Sequence, residues 1–160
     1  MKVESYSHND GKSVLAEKGL LNDVRQMPEV WADHPEQKQH SARTAALSEL
    51  GGWETEVPID MGPASEPYHE RLTPLFDAYH RSGHVAVEHE KKEQMRARWH
   101  MQKMEVGHRD PETLPVDVGV MVYPAGEDAS LRRTRRELTG PFFSEHFPLN
   151  VPFYVIEYER

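Results

Sequence analysis

The stretch Val85-Ala86-Val87-Glu88-His89-Glu90 decides the fold that this sequence predicts. Three consecutive apolar residues between polar neighbours are typical of a short strand, and here they run directly into an acidic triplet. Side chains alternate between the two faces of a strand, so Glu88 and Glu90 are expected to project to the same side. The segment therefore predicts a strand that ends in two neighbouring carboxylates.

Regular elements are predicted on both sides of this strand. Downstream they are a helix over residues 93–106, a nearly continuous apolar strand over 115–123, an arginine-rich helix over 127–138 and a closing strand over 152–158. Upstream they are a strand over 1–6, a helix over 12–26 that Pro28 ends, and a helix over 41–50 that Gly51 and Gly52 end. Residues 33–40 and 58–67 are expected to be connections. The alternation predicts one α/β domain over residues 1–160, with a partly parallel sheet.

Composition excludes several classes of protein. The chain has 160 residues and no cysteine, which rules out disulfides and thiolate metal sites. Mean hydropathy is -0.78, and no apolar run approaches the roughly 20 residues that a membrane helix needs. The first residues carry a charge where a secretory signal would be apolar. We therefore expect a cytoplasmic protein without a membrane partner.

The charge balance leaves the partner open. The net charge of -8 is unusual for a protein that coats nucleic acid, because such proteins are usually basic. A cluster of carboxylates that binds divalent cations also makes the formal charge more negative, without repelling DNA once metal is bound. The composition therefore permits a DNA-binding function without indicating one.

The carboxylates at the end of the central strand suggest a metal site. Glu88 and Glu90 would offer oxygen ligands to Mg²⁺, and Asp77 reaches the same point if residues 77–87 form a bent hairpin. Bound metal can lower the pKa of an attacking water and stabilise a leaving oxygen, as phosphodiester hydrolysis requires. The alternative is a solvated strand edge without metal, since acidic pairs on strand ends are common.

The order of motifs resembles a known family. The segments that carry the resemblance are the opening residues 1–11, the stretch from Asp77 to Glu90, residues 116–124 (Val-Asp-Val-Gly-Val-Met-Val-Tyr-Pro), and Val151-Pro152 before the last strand. Together they are similar to the type II restriction endonucleases of the BglII, BstYI and BamHI group, a branch of the PD-(D/E)XK nucleases. This resemblance implies a restriction-endonuclease-like mixed β-sheet flanked by helices.

The same resemblance implies a function and a set of site residues. It implies a homodimer that cuts double-stranded DNA with Mg²⁺ at a palindrome with a GATC core. Asp77, Glu88 and Glu90 match the metal-binding carboxylates of the family, and Glu56 takes the place of a fourth acidic group near the site. Whether Asp77 or Asp60 completes the metal site stays open at this point.

Three basic segments are candidates for DNA contact. Lys91 and Lys92 either contact the scissile phosphate or form a solvated strand end. Arg96 shares one helix face with His100 and Lys103, which is either a DNA or subunit contact or an ordinary solvated face. The third segment comprises Arg132, Arg133, Arg135 and Arg136; it either binds guanine and phosphate or pairs with Glu127, Asp128 and Glu137.

Histidine and tryptophan are expected to be structural. His80 and His84 have the i, i+4 spacing of a helical ligand pair, but Ser82-Gly83 between them argues against a helix there. His84 and His89 are not spaced to share one strand face, so surface or supporting roles are expected rather than metal ligation. The tryptophans, at positions 31, 53 and 99, are expected in the core rather than stacked on bases.

Two other functions are kept beside the nuclease. One is a catalytically silent relative that binds a specific duplex without cleaving it. The other is a metal-binding or interaction domain unrelated to DNA, which the net charge of -8 favours. Four acidic candidates gathered in one place favour the enzyme over either alternative.

Overall fold

A computed structural model describes residues 2–33, 40–59, 74–90, 94–126, 129–140 and 149–159. The strands in these ranges are β1 (Val3–His8), β2 (Trp53–Pro58), β3 (Leu75–His80), β4 (Val85–His89), β5 (Val118–Pro124) and β6 (Phe153–Tyr158). The helices are α1 (Gly11–Glu17), α2 (Leu21–Asp33), α3 (His40–Glu49), α4 (Gln94–Arg109) and α5 (Ala129–Thr139).

The six strands form one mixed sheet in the order β1-β6-β5-β4-β3-β2. β4, β5 and β6 are parallel, whereas β1, β2 and β3 pair with their neighbours in the antiparallel sense. β3 and β4 form a hairpin, which was the condition for Asp77 to reach the end of β4. The predicted α/β class and the partly parallel pairing are confirmed.

Helices cover both faces of the sheet, so its central strands are buried on both sides. Every residue of β4, β5 and β6 is buried, as expected for parallel strands between helical layers. One apolar core contains Met101 and Met104 of α4 and Leu138 of α5. The opposite core contains side chains of α1, α2 and α3, among them Leu15 and Leu47. Among the helices described, none has the length and apolar character needed to cross a membrane.

Two sequence predictions about the first helices were wrong. Residues 12–26 are not one helix, because α1 ends in a Schellman turn: Leu20 N–H donates to Leu15 O (2.9 Å) and Gly19 N–H to Ala16 O (3.0 Å). Gly19 has a φ of 73°, a conformation that a residue without Cβ adopts at no steric cost. Pro28 does not end the next helix either. It lies inside α2 and is buried.

The expected burial of the tryptophans was correct for two of the three. Trp31 and Trp53 are buried. Trp99 on α4 is 48% exposed, so its assignment to the core was wrong. Strand β2 was not predicted from the sequence. It forms the edge of the sheet and pairs with β3.

A buried carboxylate fastens α4 to the chain that leads into β6. Glu105 accepts hydrogen bonds from the backbone N–H groups of Asn150 (2.9 Å) and Val151 (3.0 Å) and from the side chain of Arg109 (2.5 Å). Burial opposes ionisation of Glu105, but these hydrogen bonds outweigh it and hold its pKa below the ordinary value. These hydrogen bonds therefore stabilise the folded protein fully only while Glu105 is ionised.

Replacing Glu105 by Ala is expected to lower the free energy of unfolding by roughly 1–3 kcal/mol at pH 7, because it leaves buried backbone donors unsatisfied. The stabilisation is present above the ordinary pKa of glutamate, about 4.3, and is lost as the pH falls through the lower folded-state value. Urea denaturation at pH 7 and at descending pH measures both effects. Glu112→Ala, at an exposed position, is the control and should change stability by less than about 0.5 kcal/mol. Equal effects of the two substitutions would contradict the anchoring role.

Candidate active site

The β3–β4 hairpin brings Asp77 next to Glu88. Ala78 pairs with Val87, so Asp77 and Glu88 occupy the next positions along the two antiparallel strands. The backbone N–H of His89 donates to Oδ2 of Asp77 (2.7 Å), which holds the aspartate against the end of β4. Two predicted carboxylates that lie eleven positions apart in sequence therefore meet at one place in the structure.

Glu88 and Glu90 project to the same face of the sheet, as the alternation of side chains predicted. Glu88 is 1% exposed and Glu90 is 3% exposed. Both carboxylates contact one imidazole ring on α4: His100 Nδ1 lies 3.0 Å from Glu88 Oε2, and Nε2 lies 3.4 Å from Glu90 Oε2. The histidine thus bridges the two glutamates.

Lys103, one turn further along α4, supplies the second cation. Its ammonium group forms a buried ion pair with Glu88 Oε1 and donates a hydrogen bond to the backbone oxygen of Leu75 (2.6 Å). The same group lies 5.5 Å from the centre of the Phe76 ring. Lys103 therefore ties α4 to both strands of the hairpin through charge and through the backbone.

The sequence placed His100 and Lys103 on one helix face but did not identify what that face contacts. It was expected to be solvated or to contact DNA or a second subunit, and for these two residues that expectation was wrong. Lys103 is 6% exposed, and the His100 side chain is 12% exposed. The available signal was a pair of basic side chains at i and i+3 on a helix that follows the segment Glu88-His89-Glu90.

The pKa values at the site reflect burial and the charges of neighbouring groups. Surrounding protein atoms and then the charge of Glu88 raise the pKa of Asp77 to about 6, although water still reaches this residue. Burial alone would lower the pKa of His100, but its contacts with Glu88 and Glu90 outweigh burial and raise the pKa to about 9. Near pH 7 the bridging ring is therefore a cation.

Glu56 lies on the strand beyond Asp77. The pairs Thr55↔Ala78 and Val57↔Phe76 bracket it, so it stands opposite Asp77 across the two strands. Its φ of 52° lies in the left-handed region, which breaks the regular alternation of β2 as a bulge does. Glu56 is exposed. The four predicted acidic residues thus occupy adjacent strands at one end of the hairpin.

Two of the three histidines near the acidic segment, His80 and His89, have packing roles, whereas His84 is part exposed and lies 3.4 Å from Asp117. His89 points to the opposite face, where its ring stacks on Trp31 (5.0 Å between centroids) and its Nε2 lies 2.9 Å from the hydroxyl of Tyr158. His80 is buried against Trp53. In the part of the chain that the structure describes, no group of three His, Asp or Glu side chains is arranged to hold a metal ion.

Two of the predicted ligands nevertheless suit Mg²⁺. This cation uses one or two protein carboxylates and keeps several waters, so Asp77 and Glu88 suffice as oxygen donors. Burial contributes most to the raised pKa of Asp77 and repulsion from Glu88 adds to it; a divalent cation would remove this repulsion. Glu88 and Glu90 both contact His100, and Glu88 also pairs with Lys103, so a metal bound to either glutamate would compete with these cations. Asp77 and Glu88 fit as oxygen donors by their chemistry, and Glu90 as a third ligand stays a prediction.

No protein-family model matches the sequence, and no curated protein matches it significantly. The resemblance to restriction endonucleases therefore stays a prediction. The α/β sheet and the placement of Asp77 beside Glu88 rest on the structure itself.

The candidate DNA-binding residues fall into two groups. Lys91, Lys92 and the alternative acid Asp60 lie outside the described residues, as does the side chain of Arg96. On α5, Arg132 and Arg136 are exposed. The remaining two arginines form ion pairs within the chain: Arg133 with Glu137 (3.0 Å), and Arg135 with Glu4 (2.9 Å) and Glu157 (3.3 Å). The predicted alternative, surface charge paired with Glu137, is thus correct for Arg133.

The bridging histidine predicts a loss of stability at alkaline pH in protein free of metal. The folded-state pKa of His100, about 9, exceeds the ordinary histidine pKa of 6.5. Its contribution is therefore fully present below pH 6.5 and is lost as the pH rises towards 9. We expect the free energy of unfolding to fall by about 1–3 kcal/mol over this interval.

Urea denaturation across pH 6–9.5 measures this loss, and His100→Gln should flatten it. NMR titration of the imidazole signal that disappears in His100→Gln gives the pKa directly. A midpoint close to 6.5 would show that the ring is not held between two carboxylates.

Proposed function

We propose that this chain is a Mg²⁺-dependent endonuclease that hydrolyses phosphodiester bonds of double-stranded DNA. The observation that carries the proposal is the meeting of Asp77 and Glu88 at the end of the β3–β4 hairpin, with the Lys103 ammonium group on Glu88. Paired carboxylates with an adjacent cation are the groups needed to bind a metal and to stabilise a phosphate that gains charge. Mg²⁺ would be held by Asp77 and Glu88, and it would supply Lewis-acid polarisation of the scissile phosphate.

Lys103 has the position for electrostatic stabilisation of that phosphate. Its head group is held by Glu88 and by the backbone oxygen of Leu75, so its orientation is fixed before substrate arrives. An ordered donor in a site shielded from water stabilises developing negative charge far more than a mobile surface lysine does. Lys103 therefore acts on the substrate, whereas His100 keeps the Glu88 and Glu90 carboxylates oriented and neutralised.

Three finer parts of the proposal rest on the resemblance described above. They are that the protein is a type II restriction endonuclease, that it acts as a homodimer, and that it cuts at a palindromic site with a GATC core. A palindrome presents two equivalent strands to two identical subunits, so a two-fold symmetric dimer can cut both. Exposed Arg132 and Arg136 on α5 are the described candidates for phosphate or guanine contact.

Purified protein is expected to nick or cut plasmid DNA with Mg²⁺ and to stop when the metal is chelated. Glu88→Gln should abolish cleavage, because it removes a metal-binding charge. Lys103→Met should reduce the cleavage rate by about 10²–10³-fold, the usual effect of losing one preorganised donor. Glu112→Gln, at an exposed position, is the matched control and should leave the rate unchanged.

Circular dichroism and urea denaturation of each variant separate loss of chemistry from loss of folding. If folded wild-type protein nicks no DNA, and Glu88→Gln behaves identically, the enzyme proposal fails. Cleavage that persists in Glu88→Gln would place the chemistry elsewhere in the chain.

The second candidate is a silent relative that binds duplex DNA without cutting it. One observation favours it: Glu88 is already neutralised by Lys103 and His100 without any metal. In that case gel-shift experiments would give salt-sensitive binding to a particular duplex, equal with and without Mg²⁺, and no product. Endonuclease activity of the wild-type protein decides against this candidate.

A further inference from the structure

On α4 the apolar side chain of Trp99 is exposed and the charged side chain of Lys103 is buried, the reverse of what their polarity predicts. Its side chain is 48% exposed, while Lys103, one turn further along α4, is 6% exposed. Residues at i and i+4 on a helix are neighbours, with about 5–6 Å between their Cβ atoms. The indole ring of Trp99 is therefore exposed one helical turn from Lys103, a residue of the site already described.

The backbone of β3 contacts the same lysine. The backbone oxygen of Leu75 accepts the hydrogen bond from the Lys103 ammonium group. Phe76, the next residue of β3, lies under that ammonium group, so the Leu75 side chain projects to the opposite face of the strand. On α4, the exposed apolar group near the acidic site is therefore the aromatic ring of Trp99.

The helical layer that carries Trp99 is basic although the protein is acidic. Helices α4 and α5 contain eight of the nineteen Lys and Arg residues but only two of the twenty-seven Asp and Glu residues. The two helices lie side by side, joined by the ion pair of Arg98 with Glu137 (2.7 Å). Lys103 is buried on Glu88, so the cations that this layer presents to the surface are arginines, among them the exposed Arg132 and Arg136. An aromatic ring near exposed cations is the pattern that binds single-stranded nucleic acid, where bases stack and cations follow the phosphates.

We propose that Trp99 is a stacking seat for one unpaired nucleobase, at a single-stranded or unpaired position of the DNA that the proposed enzyme binds. The ring would hold this base one helical turn from Lys103, with arginines of α4 and α5 near the adjoining phosphates. The seat deepens the proposed function and rests on it for its substrate class. Its binding is measurable without catalysis, so the two proposals fail separately.

A second copy of the chain fits this surface less well. A stable dimer buries about 800 Å² on each partner, with an apolar centre. Among the described residues, the large hydrophobic side chains that are exposed are Val3, Leu75 and Trp99, and Val3 lies on β1 at the opposite edge of the sheet. The apolar area near Trp99 therefore suits one base rather than a subunit.

Tryptophan fluorescence reports this contact directly. Trp31 and Trp53 are 2% and 3% exposed, so an added oligonucleotide can quench only Trp99 by direct stacking. With EDTA present to prevent cleavage, a 12-residue oligothymidylate is expected to quench the exposed fraction of the emission. The absence of any quenching at concentrations where the labelled oligonucleotide is bound would overturn the proposal.

Fluorescence anisotropy of a labelled oligothymidylate gives the affinity of variants that lack the reporter. Trp99→Ala should weaken binding roughly tenfold to a hundredfold, and Trp99→Phe should retain most of the affinity because a ring remains. Gln102→Ala, an exposed neighbour on α4, should have no effect. Equal affinity of the wild-type protein and Trp99→Ala would refute the seat.

Two further experiments are needed. The first distinguishes a single strand from an unpaired base within a duplex, and the second distinguishes base stacking on Trp99 from the proposed nuclease activity. A duplex with one unpaired central thymine should depend on Trp99 as the single strand does, whereas a fully paired duplex should bind Trp99→Ala and wild type equally. Glu88→Gln should keep the quenching even where cleavage is lost. If sedimentation shows a dimer that Trp99→Ala dissociates while oligonucleotide affinity stays constant, the surface is a subunit contact and the proposal is wrong.

Discussion

A carboxylate buried inside a sheet has to be neutralised, and Glu88 imposes this requirement on the whole α4 face of the molecule. An unpaired buried charge costs several kcal/mol, so a strand ending in Glu88 is stable only if cations reach it from the covering helix. Lys103 and His100 meet this requirement from two sides. The rotation of α4 about its axis is therefore set by charge as well as by the apolar residues Met101 and Met104, which face the core.

The parallel pairing of β4 with β5 explains why the carboxylates lie where they do. Glu90 has left the strand, yet its N–H still donates to Val122 O (2.9 Å), so the backbone stays fixed one residue beyond β4. His89 reinforces this from the other face by stacking on Trp31 and by its contact with Tyr158. The acidic side chains are thus presented by a rigid strand end, and binding sites built on strands hold their geometry better than sites on loops.

Local patterns predicted the elements that carry the acids, because their signals are local. The apolar run into Glu88, the alternation that puts Glu90 on the same side, and the hairpin back to Asp77 each depend on short-range geometry. Gly19 carried a local signal of the same kind, a glycine followed by an apolar residue at a helix end, but the prediction of one helix over 12–26 did not use it. The helix was predicted to continue to Pro28, but it ends before Gly19, and Pro28 lies inside the next helix. For Glu56, only the pairing of β2 with β3 reveals its place beside Asp77.

The environment of α4 was not predictable in the same way. Apolar-in, polar-out reasoning assigns Trp99 to the core and Lys103 to water, and the structure has the reverse. The reversal has a cause that is distant in sequence: α4 lies over the end of β4, where the side chains that face the helix are Glu88 and Glu90. A sequence pattern records the spacing of residues along one helix, but not the chemistry of the surface beneath it. The most informative residues of the site were those whose burial contradicts their polarity.

The net charge of -8 is a weak argument against a nucleic-acid partner once the charges are located. At physiological ionic strength an exposed charge is screened beyond about 8 Å, so a phosphate near α4 and α5 responds to the charges of those two helices and little to the rest of the chain. That layer is basic, while the acidic excess lies on other elements. Glu88 and Glu90, which contact α4, are buried beneath cations, and Glu4 and Glu157 are paired with Arg135 of α5. An acidic protein can therefore present a cationic surface at the place where its chemistry would occur.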